Sequence, residues 1–113
     1  MTTTLTDLSL DDLDVVIMKN HSSPDGVVFR NAWIVRSTDF GQLQTAMATV
    51  AADDGYSVVE ERLRALGLEA RRKLNGIAGM GSLPGNDEAL LQIGQARDWA
   101  KSHGRLILCE GTL

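Results

Sequence analysis

The residues able to do covalent chemistry are few: one cysteine, Cys109, and two histidines, His21 and His103. A thiol becomes a nucleophile when a base stands beside it, and His103, six residues before Cys109, is the nearest such base in the chain. The run that holds Cys109 is apolar, and a cysteine there reads as a small core residue. His21 and Asp25 could exchange a proton, but both fall in a turn-forming stretch where such residues are ordinary. No pair among His21, His103 and Cys109 has the C-x-x-C or H-x-x-x-H spacing of a metal site. Asp7, Asp11, Asp12 and Asp14 lack the glycine turn and closing glutamate of a calcium loop, and they read as a solvated acidic edge. The sequence therefore assigns no catalytic, cofactor-binding or metal-binding residue.

Binding chemistry has more to stand on. Residues 76–86, GIAGMGSLPGN, lead into a helix, and backbone amides in such a loop can cradle a phosphate. Neither G-x-G-x-x-G nor G-x-x-x-x-G-K-[ST] occurs, and the preceding element reads as a helix rather than a strand, so the stretch is expected to be an interhelix loop. Its glycines are interleaved with Ile77, Met80 and Leu83, which a pure spacer does not need. Met80 and Leu83 are therefore candidate partner contacts, together with the acidic residues Asp11, Asp12 and Asp14. A second pattern, over residues 42–75, has the outline of a helix-turn-helix. Its second helix would open Val58-Val59-Glu60-Glu61, with Arg71, Arg72 and Lys73 gathered at the far end, where they would complement the helix dipole rather than reach base edges.

These residues must be positioned by a small set of elements. Val15 to Met18 are apolar and mostly β-branched, and the sequence predicts a strand over 14–19. NHSSPDG, residues 20–26, is a dense turn cluster, and residues 27–36 alternate as a second strand, completing a hairpin. Asp39 and Gln42 have capping spacing ahead of a helix carrying Leu43, Met47 and Val50. Ser57 and Glu60 have capping-box spacing for a second helix with Val59, Leu63, Leu66, Ala70 and Leu74 on one face and Gly76 at its end. A third helix is expected from about Asn86 to Gly104, then a closing strand over 105–109. The expected fold class is α+β, a single domain over 1–113 with residues 1–8 flexible. A hairpin and C-terminal strand would pack one sheet face on about three helices, in the order β-β-α-α-α-β. Such a sheet leaves open edges.

Charge narrows the partner. The 113 residues carry 11 Lys+Arg against 15 Asp+Glu, a net charge of −4, and only the stretch 56–78 is basic. That balance argues against a nucleic-acid backbone or an anionic membrane as partner. No apolar run is long enough to span a bilayer, the opening residues are acidic where a leader would be basic, and the lone cysteine suits a reducing compartment. The expectation is a cytoplasmic, non-catalytic regulator, inhibitor or adaptor of the bacterial or phage kind. It would act by binding another protein and could form a homodimer. The alternatives are a nucleic-acid-binding regulator, using the helix pair of 42–75, and a small enzyme or enzyme subunit.

Overall fold

The structure, a computed structural model, describes residues 8–79 and 83–108. Met80, Cys109 and the first seven residues lie outside that range. The elements in chain order are β1 (Asp14–Ser22), β2 (Val28–Arg36), α1 (Phe40–Met47), α2 (Tyr56–Ala65), β3 (Ala70–Ala78), α3 (Asn86–Ser102) and β4 (Leu106–Leu108). The domain is α+β, and the hairpin, three helices and closing strand follow in the expected order. A fourth strand, β3, is inserted between the second and third helices.

The sheet order is β3-β2-β1-β4, with β1–β2 and β2–β3 antiparallel and β4 parallel to β1. The β1–β2 reversal is closed by Ser23, whose N–H donates to the Val27 carbonyl at 2.8 Å and whose carbonyl accepts from Gly26 N–H at 3.0 Å. Helix α1 starts as its spacing predicts, with the Asp39 carboxylate accepting the Gln42 N–H at 2.9 Å.

The second helix differs from its expectation. Instead of running to Gly76 it stops at Ala65, where Gly67, at φ +73°, donates to the Arg64 carbonyl and Leu68 N–H reaches the Leu63 carbonyl. This is the Schellman ending, which requires the left-handed conformation glycine tolerates, with Leu68 and Leu63 sharing one apolar cluster. Ala70 and Leu74 thus belong to a strand, and Arg71, Arg72 and Lys73 do not sit at a helix C-terminus. The helix-turn-helix outline over 42–75 lacks its second helix beyond Ala65, because pairing with β2 outweighs the good local helix propensity of Leu68 to Leu74. Gly76 does not end a helix either. It lies in β3 where α3 crosses closely, and a Cβ there would stand 2.5 Å from Leu90 Cδ2.

Helices cover both faces of the sheet, not one. Val15, Ile17, Trp33 and Val35 point to one side, where they pack with Leu43 and Met47 of α1 and Val59 and Leu63 of α2. Val16, Met18, Ala32, Ile34 and Leu74 point to the other, against Ile93, Ala96 and Ala100 of α3. Period-two alternation explains this division, and it explains why β1 is buried on both sides from Asp14 to Asn20. On the α1/α2 side the apolar core ends near Trp33. Farther along the same face, β2 and β3 present Asn31, Phe29, Asn75 and Ile77 to open hollows.

Candidate functional site

Three successive cations on β3 are tied to three different parts of the chain. A register irregularity opposite Ile34 and Val35 frees Arg71 from the regular alternation. Its guanidinium makes two bonds to Asp14, Nη2 to Oδ2 at 2.8 Å and Nε to Oδ1 at 3.2 Å, and Nη2 also donates to the Ser9 carbonyl. Arg72 points to the α3 side and donates to Gln92 Oε1 at 2.8 Å. Lys73 points to the α2 side and pairs with Glu60, which also accepts Trp33 Nε1–H at 3.3 Å. The basic run read from the sequence is thus an internal fastening, with β3 as its hub.

The acidic edge resolves into three different situations. The Asp14 side chain is completely buried, held by Arg71 and by the Asp11 N–H, with Arg36 Nε 3.7 Å away. It is not available to a partner, because an inward-pointing carboxylate at the start of β1 is consumed by the arginines of β2 and β3. Asp11 pairs with Arg36 at the surface. Asp12 is exposed, and among the described residues it is the acid of the three that forms no ion pair. The Leu13 N–H and then the Arg36 charge hold the Asp11 carboxyl below its usual value.

Leu83 is exposed at the rim of a hollow of about 450 Å³. Facing that hollow are Tyr56, from the first turn of α2, and Phe29, Asn75 and Ile77 from the sheet. Tyr56 is 55% exposed and Leu83 43%, large values for such apolar surfaces. A second hollow of about 640 Å³ adjoins through Lys73 and is bounded by Glu60, Arg64 and the α2–β3 connection Gly67–Glu69. A third, of about 300 Å³, adjoins through Phe29, Asn31 and Tyr56 and is closed by His21. Through these shared lining residues the three hollows follow one another over the α2 side of β3 and β2 toward the open end of the sheet, a groove on that face beside the outer edge of β3. Lys73 stands at its centre, with Nζ 5.6 Å from the Tyr56 ring centroid.

One rim of the groove is pinned by Asn86. Its side-chain amide exchanges two hydrogen bonds with the backbone of Ile77, accepting the N–H at 2.7 Å and donating to the carbonyl at 3.0 Å. The sequence reading missed Tyr56, Phe29, Asn75 and Asn86. The alternation of Lys73, Asn75 and Ile77 with Arg72, Leu74 and Gly76 was the signal that could have found β3 and, with it, the groove.

The remaining chemical candidates do not assemble. His21 lies beside Phe29, ring centroids 6.3 Å apart, and among the described residues no bond joins it to Asp25. His103 stacks on Trp99 at 4.2 Å, with Nδ1 2.7 Å from the Trp99 carbonyl oxygen. Cys109 lies outside the described residues, so its relation to His103 is not placed. Among the described residues no three His, Cys, Asp or Glu side chains are grouped to hold a metal, and no helix is long and apolar enough to cross a membrane.

Glu60 carries a prediction about pH. The Lys73 ammonium bonded to it, aided by the Trp33 N–H, holds its carboxyl below the ordinary glutamate value of 4.5 against the opposing effect of partial burial. A carboxyl that is more acidic when folded contributes stability above its unfolded value, and that contribution is lost as pH falls through the folded one. Urea unfolding between neutral pH and pH ~3 should therefore show an acid-side loss that is shallower in Glu60→Gln. A carboxyl NMR titration of Glu60 with its midpoint above 4.5 would contradict the assignment.

Comparison with protein-family models, with curated proteins and with solved structures finds no match, so the reading of the groove rests on its own geometry.

Proposed function

We propose that the protein is a non-catalytic binding module, a small regulator, inhibitor or adaptor, whose groove along β3 holds part of another protein. The observation that carries this reading is the convergence of Tyr56 and Leu83, both exposed, with Phe29 and Ile77 on one continuous hollow. An aromatic and an aliphatic anchor over an open sheet surface, flanked by the amides of Asn31 and Asn75, provide the mixture of apolar centre and polar rim that protein interfaces use. The lone cysteine suits action in a reducing compartment such as the cytoplasm.

The test is site-specific photo-cross-linking in host cells from position 83 and, as a control, from Glu61 on the exposed side of α2. A partner captured through position 83 but not 61 is then purified and titrated against the Tyr56→Ala/Leu83→Ala variant. Both side chains are exposed, so the melting temperature should stay close to that of the parent protein, while affinity should fall about tenfold or more. Equal capture from both positions, or unchanged affinity, would remove the groove as the binding surface.

A further inference from the structure

The bonds of Asn86 reveal which backbone groups of β3 face outward. Both the N–H and the C=O of Ile77 go to that amide, so the Phe29–Ile77 pair exchanges no ladder bonds. Alternation in an antiparallel pair then puts the N–H and C=O of Asn75 and Lys73, opposite Asn31 and Trp33, on the same outer side. Strand β3 is at the edge of the sheet, and among the described residues nothing outside the β2 ladder bonds to these four groups. The edge is thus a row of three equivalent positions. The first is filled by an amide of the chain itself, and among the described residues none fills the next two.

From this row we infer that β3 takes one extended segment of a partner protein as an added antiparallel strand, paired to Asn75 and Lys73. The inference rests on the binding-module reading above and specifies its ligand. The antiparallel direction is the one in which a single directly opposed residue satisfies both groups of Asn75 or of Lys73, as the Asn86 amide does for Ile77. The occupant is a single segment because β3 is the last strand on its side of the sheet and its outward groups form one row.

The chemistry of the segment follows from register. An antiparallel strand meets Asn75 before Lys73, and side chains at these two positions lie on the α2 side of the sheet. The first would rest beside Ile77 and Leu83 and is apolar. The second, two residues later, faces exposed Lys73, with Arg64 on the same hollow, and is a carboxylate that shares the Lys73 ammonium with Glu60. The recognised element is therefore apolar-x-acidic in extended conformation.

The probe is a phage-displayed library of random peptides about ten residues long, long enough to cross the edge, selected on the full chain. Selected peptides should share the apolar-x-acidic spacing, and Lys73→Glu should shift the acidic position to a basic one. N-methylation of the apolar or the acidic residue, whose N–H groups face β3, should weaken binding about tenfold or more, while methylation of the residue between them should change it less than about threefold. Amide exchange at Lys73 and Asn75 should slow on binding. If both phases of methylation are tolerated and Tyr56→Ala/Leu83→Ala still abolishes binding, the groove holds side chains only and strand addition is wrong while the binding-module reading stands. If no peptide is selected, or selected peptides ignore both sets of substitutions, both readings fall. If the free protein shows slow exchange at Lys73 and Asn75 that vanishes on dilution, the occupant is a second copy and the partner-segment inference is overturned.

Discussion

Trp33→Ala is expected to destabilise the protein by about 3–5 kcal/mol, which for a small domain is a large part of its total stability. Trp33 is the largest of the side chains that are almost completely buried, and it sits on the central strand β2 between Ile17 of β1 and Lys73 of β3. It joins the cluster in which α1 and α2 meet the sheet. Truncation would leave a void that helices on only one side of this face can relax into, and it would remove the N–H that Glu60 accepts. Trp33→Phe keeps most of the volume and loses that donor, for an expected cost of about 1–2 kcal/mol. The difference between the two variants separates packing from hydrogen bonding. Urea unfolding followed by circular dichroism, with unchanged slope, is the measurement. A loss below about 1 kcal/mol for Trp33→Ala would mean that the α1/α2 layer is not anchored on this side chain.

The parts of the fold legible in the sequence are those set by local chemistry. The turn built from Pro24, Asp25 and Gly26, the alternation that follows it, and the Asp39 cap each depend on residues a few positions apart, and each forms as its spacing predicts. Strand β3 was hidden because its residues are good helix formers and Glu69 and Lys73 have the i, i+4 spacing of a helical ion pair. Its strand character comes from pairing with β2, a non-local effect, and from Gly67 ending α2. The groove was hidden for the same reason. Leu83 could be singled out as an apolar residue in a glycine-rich stretch, but Tyr56, Phe29 and Asn75 become neighbours only when α2 is short and β3 exists. Asp14 looked like the other N-terminal acids because the arginine that buries it lies 57 residues away.

That arginine makes Asp14 the second site of large expected effect. Asp14→Ala should cost about 2–4 kcal/mol, because it removes a completely buried carboxylate that receives two bonds from Arg71 and one from the Asp11 N–H. The upper end of the range for broken buried pairs does not apply. The Arg71 side chain is 39% exposed, so water takes over part of the solvation the carboxylate supplied. The loss is also local in its consequences, because Arg71 simultaneously holds the Ser9 carbonyl and Asp14 holds the turn at Asp11. Amides of the segment from Asp11 to Asp14 should exchange faster in the variant than those of α3. A double-mutant cycle isolates the pair: Asp14→Leu with Arg71→Met should be less destabilising than the sum of the single changes by about 1–3 kcal/mol, since neither charge is then stranded. Additive losses would show that Asp14 and Arg71 do not stabilise one another. The fastening of β3 to the start of β1 would then have to be sought in the cross-strand contacts of β2.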